Sequence, residues 1–289
     1  MRSAETSNLR GIVFMLAAVV AFSLMDVCLK LLSPHYPAMQ VAALRGLTSL
    51  PLVLIWVALS GGFAQVRSRR WRLHLLRGVL SVVMLSSFAF ALRDLPLAEA
   101  YSLFFVAPLL VTALAVPLLG ERVGWRRWLA VLIGLAGVMV VLRPDAARMA
   151  NLGSAAVLVA AISYALSAIT VRVLGRTEST QSMVFWMITL LTLFAVAAGW
   201  NGWINVRLEH WPILLMLSIS GALGQYAITE AFKRSDASIV APFDYTALIW
   251  GMGFDAMIWH TTPDHTMLIG ASIIIASGLY LMLRERVAD

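Results

Sequence analysis

The chain has 289 residues, of which 61% are hydrophobic and 13% charged, with a mean hydropathy of +0.85. A water-soluble domain carries about 45–50% apolar and about 25% charged residues, so water is excluded as the main solvent for this surface. The net charge of +7 is not gathered into one basic face, which argues against nucleic acid as a partner, and the single cysteine, Cys28, excludes an internal disulfide and a multi-cysteine metal site.

Apolar runs fall at 11–32, 38–60, 75–92, 95–119, 125–142, 152–174, 181–200, 211–232, 237–259 and 265–283. Each is near the ~20 residues that a helix needs to cross a ~30 Å hydrocarbon core. A transmembrane barrel would need alternating segments about half as long. In lipid a helix satisfies its own backbone polar groups, so the expected fold is all-α integral membrane with ten transmembrane helices. The first run is long and carries Asp26 and Lys30, which reads as a membrane helix rather than a cleaved leader.

Basic residues sit at segment ends. With the N-terminus in the cytoplasm, the inside holds fourteen, from Arg2 and Arg10 through the Arg67–Arg72 cluster to Arg284 and Arg286. The outside holds four: Arg93, Arg143, Arg148 and Arg207. That bias predicts cytoplasmic termini and makes the positive charge a matter of topology.

The chain resembles itself at an offset of about 141 residues. Gly11 and Gly153 each begin a segment, Lys30 corresponds to Arg172, Ala91-Leu92-Arg93 to Ala231-Phe232-Lys233, and Gly137 to Gly278. The expected units are 11–142 and 152–284. Five helices is an odd number, so the second unit enters the membrane from the other side. Such inverted repeats are a common scaffold of secondary transporters, with the solute near the midplane between them.

An ionised side chain at the bilayer centre costs about 2.5–3.5 kcal/mol on insertion scales, so each intramembrane charge needs a reason. Asp26 and Lys30 are four apart and share a helix face, where they either pair with each other or meet a solute. Arg45 lies two turns into the second segment; Glu99 opens the fourth and Glu230 closes the eighth. Lys30 and Glu230 are also placed to snorkel towards headgroups. Asp244 and Asp255 are eleven residues apart in the ninth segment, about three turns, and point the same way; Asp255, near His260, also fits a wet outer end.

The stretch VAPFDYTALIWG, residues 240–251, surrounds Asp244 with Phe243, Tyr245, Thr246 and Trp250. A carboxylate, hydroxyls and ring faces suit a cationic or ring-bearing solute, although Tyr245 and Trp250 also serve as packing. Gln225 and Tyr226 add an amide and a phenol to the eighth segment, and Tyr101 a phenol to the fourth. Pro108 and Pro242 are expected to bend their helices near this site, Pro117 to bend the fourth near its end, and Gly120-Glu121-Arg122 to mark the exit from the membrane.

The residues ALRDLPLAEAYSLFFVAPLLVTALAVPLLGER, 91–122, followed by WLAVLIGLAGVMVVL, resemble the first half of an EamA-domain protein of the drug/metabolite transporter superfamily; GQYAITEAFKRSDASIVAPFDYTALIWG, 224–251, resembles the matching second-half stretch. The likeness covers nearly the whole chain. It departs where a second Gly-Glu ending is usual, since this chain has Asp255 through His260 there. The resemblance implies a secondary carrier with a central cavity, peripheral fifth and tenth helices, and a small-molecule solute. Its 241–250 stretch is most similar to the subgroup that includes riboflavin and S-adenosylmethionine transporters; amino-acid-like compounds and broad-specificity drug export belong to the same implied range. No cofactor or metal is expected, whereas membrane lipid and a coupling proton are natural partners. There is no Walker A sequence, HExxH or G-x-S-x-G, so an enzyme is not expected.

Overall fold

Helix is the only regular structure among the described residues. A computed structural model describes residues 2–32, 34–94, 103–142, 152–260 and 265–287. The helices are α1 (Arg2–Leu32), α2 (Ala38–Leu59), α3 (Trp71–Asp94), α4 (Ala107–Leu119), α5 (Trp125–Leu142), α6 (Leu152–Leu174), α7 (Thr180–Gly199), α8 (Trp211–Arg234), α9 (Ala237–Val240), α10 (Ala247–Trp259) and α11 (His265–Val287). Five stretches are long and apolar enough to cross a bilayer: Asn8–Leu32, Met39–Leu59, Leu152–Leu174, Thr180–Gly202 and Leu208–Arg234. Apolar side chains such as Val13, Ile55, Leu193, Leu215 and Leu223 face outward from these helices. That arrangement suits a lipid solvent.

The local sequence explains the breaks. Pro108 is expected to bend a continuous helix; instead it stands at the first turn of α4, where its missing N–H costs no ladder bond, and its carbonyl accepts the Thr112 hydroxyl at 2.9 Å. Pro242 likewise opens a 3-10 stretch, Ala241–Thr246, that separates α9 from α10. The ninth segment is therefore interrupted rather than gently bent. α4 contains Pro117 and ends at Gly120, whose φ of 72° is the left-handed conformation that glycine adopts without a Cβ clash.

The helices pair in a regular way. The main faces are α1 on α8, α3 on α6, α5 on α11 and α2 on α7. α1, α4, α6, α8 and the 237–243 segment share the largest apolar core. Hydrogen bonds gather the connections at two ends. At the end that carries both chain termini, here the terminal face, Ser235 Oγ donates to Asn8 Oδ1 at 3.0 Å and the 68–70 turn meets Glu178. At the opposite face Tyr36 bonds His210 Nδ1 at 2.8 Å, and Gln40 Oε1 accepts the Ile204 N–H at 2.8 Å.

Candidate functional site

One ionic feature inside the bundle is built by α1, α2 and α8. Asp26 is six residues from the end of α1 and Arg45 seven residues into α2, so both lie about 10 Å from the opposite face. The two are within electrostatic reach of one another. Both are half-buried, and among the described residues neither makes a direct hydrogen bond or ion pair with a protein group. Arg45 lies over the Phe22 ring, 5.8 Å from its centroid. Phe22 is one turn before Asp26, so ring and carboxylate share a face of α1. α8 makes room with glycines: a Cβ on Gly221 would come to 3.1 Å from Arg45 Nε, and one on Gly224 to 2.8 Å from the Phe22 ring.

A second station is nearer the terminal face. The 3-10 stretch after Pro242 presents Asp244, about 10–14 Å in from the start of α9. Its carboxylate accepts the Tyr164 hydroxyl of α6 at 2.5 Å. Tyr164 in turn packs against Phe104, centroids 5.7 Å apart, and Phe104 against Phe88. An acid, a phenol and two further rings thus line one side. Arg45 and Asp244 occupy different depths with separate partners.

The remaining predicted residues scatter. Tyr245 is 1% exposed and turned away from Asp244; its ring lies against Phe105 and over Gly134, and among the described residues its hydroxyl has no hydrogen-bond partner. Thr246 turns its hydroxyl onto the Phe243 carbonyl. Gln225 is buried on α8 beside Thr229, while Tyr226 packs edge-on to Phe14 and Trp56. Trp250 is 41% exposed on the outside of α10, and Lys30 is exposed near the end of α1. Glu99 and Tyr101 lie outside the described residues, as does the Asp255 side chain. Tyr164 and Phe22 escaped the sequence reading because an isolated aromatic in an apolar run resembles packing; the polar Ser163-Tyr164 pair in mid-segment is the signal that would have flagged the first. An open groove of about 480 Å³ on α11, lined by His265, Leu268, Ile269, Ser272, Ile273 and Ala276, includes none of these charged residues in its lining. Among the described residues no three His, Cys, Asp or Glu side chains converge to hold a metal.

The terminal face carries a dense polar lattice. Glu121, the acid of the Gly-Glu pair after α4, accepts the N–H groups of Ala237 and Ser238 at 2.8 and 3.1 Å and the Ser238 hydroxyl at 2.7 Å. It thereby caps α9. Glu178, between α6 and α7, accepts the N–H groups of Arg69 and Arg70 at 2.8 and 3.2 Å and the hydroxyls of Ser68 and Ser182, each at 3.0 Å. It thereby caps the entry to α3. Burial alone would raise its pKa, but these donors outweigh burial and hold the pKa of Glu178 below the usual glutamate value. His74 Nε2 stands 3.8 Å from its other oxygen, and Arg77, 1% exposed, donates to the Met183 carbonyl at 3.2 Å. Arg172 joins Asp236 at 2.8 Å and the Lys233 carbonyl at 3.0 Å, and stands 3.9 Å from Glu121. Glu230 bonds Thr180 and Arg234.

Comparison with known proteins gives this architecture a context. The chain is 30% identical over 278 residues to an S-adenosylmethionine uptake transporter of Rickettsia bellii, covering 96% of this chain and 95% of that protein. It is 28% identical over 277 residues to a riboflavin transporter of Vibrio cholerae, covering 94% and 93%, and 25% identical over 272 residues to the pseudopaline exporter CntI of Pseudomonas aeruginosa, covering 94% and 95%. A solved crystal structure superposes with a TM-score of 0.82 at 18% identity, covering 97% of this chain and 99% of the other, a likeness of fold. The family model for the EamA-like transporter family matches residues 9–143 and 151–284. A family of transporters, matched twice along a chain of lipid-facing helices, makes this a multi-pass membrane transporter rather than an enzyme: it belongs to the EamA-like transporter family.

Proposed function

We propose that the protein is a secondary carrier of the cytoplasmic membrane that moves a small polar, ring-bearing metabolite by alternating access between two inverted five-helix units, 11–142 and 152–284. The observation that carries this reading is the pair of ionic stations inside the bundle, Asp26–Arg45 near one face and Asp244–Tyr164 nearer the other, in a chain of a transporter family. Charges at such depth make physical sense beside an aqueous path.

The helix pairing supports the inverted repeat. Exchanging the two units turns the α1–α8 face into α6–α3, and leaves α2–α7 and α5–α11 unchanged. A two-fold axis in the membrane plane has that effect. The excess of basic residues around the terminal face supports its assignment to the cytoplasm. Arg45 and Asp26 offer donors and an acceptor for a charged group of the solute. Phe22, Tyr164 and Phe104 offer ring faces, with Tyr101 and Gln225 as further contacts. The S-adenosylmethionine and riboflavin in the names of two relatives each join a ring system to polar groups. Asp26 and Asp244 are the groups able to carry a coupling proton.

The test is flux into proteoliposomes of purified protein, with S-adenosylmethionine and riboflavin as first probes, with and without a pH gradient. Arg45→Ala and Asp244→Asn should each lower flux at least about tenfold while the protein remains folded, the loss of one charged hydrogen bond being worth about 1.5–3 kcal/mol. Full flux in both variants removes the site assignment.

A further inference from the structure

We propose that Glu121 and Glu178 are reciprocal bolts of a gate at the terminal face, each reaching out of its own half of the chain to close on the start of a helix in the other half. Glu121 follows α4 in the first half, and its three acceptor contacts are on Ala237 and Ser238, the opening turn of α9 in the second half. Glu178 follows α6 in the second half, and three of its four contacts are on Ser68, Arg69 and Arg70, which lead into α3 in the first half. A carboxylate at a helix start meets unpaired N–H donors and the positive end of the helix dipole, so both closures are charge-assisted.

The two bolts share one frame. Arg172 stands between them, bonded to Asp236 beside α9 and to the Lys233 carbonyl at the end of α8. Lys233 Nζ then donates to the Glu178 carbonyl at 3.2 Å. The lattice therefore joins α4, α6, α8, α9 and the turn before α3. At the opposite face the described bonds are of another kind. They too cross between the halves of the chain, but through neutral Tyr36 and Gln40 bonded to the 204–210 connection, and the Arg207–Glu209 ion pair there, at 3.3 Å, lies within that connection. Among the described residues the carboxylate contacts between the two halves are concentrated at the terminal face, which holds that end most firmly, and passage of solute there requires both carboxylates to release their helix starts. Asp244 and Tyr164 lie just behind this lattice, so the gate stands between them and the terminal face.

The inference rests on the carrier reading but is testable without flux. Ala168 is one turn from Tyr164 towards the terminal face and is 4% exposed. In a Cys28→Ala background, Ala168→Cys should react slowly with a membrane-impermeant methanethiosulfonate added at the terminal face. Adding Glu121→Gln or Glu178→Gln should raise the labelling rate about tenfold, equivalent to about 1.4 kcal/mol of lost closure, and both together more. An unchanged rate in the double variant overturns the gate. The second measurement closes it by force. Glu121→Cys with Ser238→Cys, bridged by a short bifunctional methanethiosulfonate, should lose flux, and reduction with dithiothreitol should restore it. A bridged protein that still transports overturns the proposal. If labelling responds as expected but no probe crosses the membrane in any variant, the gate stands and the carrier reading falls.

Discussion

Replacing Gly224 by alanine tests how the Arg45 station is held. The new Cβ would sit 2.8 Å from two carbons of the Phe22 ring. Carbon atoms rest at about 3.5–4.0 Å, so the ring must recede by roughly 0.7–1.2 Å. Overpacking of this kind costs about 1–3 kcal/mol, and the exchange of glycine for alanine in a helix returns about 1 kcal/mol, leaving a net loss of about 0–2 kcal/mol. The effect on flux should be larger than the effect on stability. Phe22 is the surface under the Arg45 guanidinium, and a 1 Å displacement of a binding group can cost about 100-fold. The assay pairs thermal unfolding in detergent with initial uptake rates in proteoliposomes. Phe22→Leu on top of Gly224→Ala should recover part of the lost stability by removing ring atoms from the clash, without restoring flux, because the ring beneath Arg45 is then absent. Wild-type flux in Gly224→Ala would refute the reasoning, and so would a double variant no more stable than the single.

Glu178→Ala strands the Arg69 and Arg70 N–H groups and two hydroxyls, and should cost about 3 kcal/mol in thermal unfolding. Because its folded pKa is depressed, the stabilisation by Glu178 is complete above the unfolded value near 4.5 and is lost as pH falls through the folded value, so the wild-type and Glu178→Gln stability curves should converge in acid. Tyr164→Phe removes the hydroxyl donated to Asp244 and should lower uptake about tenfold with less than about 1.5 kcal/mol of destabilisation, read by the same pair of assays. Gly120→Ala has open space around its Cβ and meets only the left-handed backbone, which predicts a loss of about 1–2 kcal/mol, with Gly120→Asn milder.

Much of the fold could be read in one dimension because the reasons for it are local. The length of each apolar run against the bilayer thickness predicts a helix wherever α1, α2, α6, α7 and α8 stand. Gly120 stops α4 through its own φ. Pro108 shows the limit: one proline signal serves both a kinked helix and a fresh helix start, and what separates them is whether the preceding turn is helical. The candidate site was less legible. Arg45 and Asp244 stood out alike as buried charges, but their separation in depth depends on α2 and the 3-10 stretch running inward from opposite faces. Tyr245, next in sequence to Asp244, turns away because adjacent residues on a 3-10 turn point about 120° apart.

The sequence by itself determined the solvent, the helical class and the family, since each follows from composition, run length or motif within a continuous stretch of chain. Tertiary structure alone decided the partners. Glu121 and Glu178 are ordinary membrane-edge acids until a helix start from more than a hundred residues away is brought to each. Arg45 is an isolated intramembrane charge until Phe22 and Gly221 from other helices shape its surroundings. Charge and hydrogen bonding act over a few ångströms of space, and only the packed bundle converts separation along the chain into such distances.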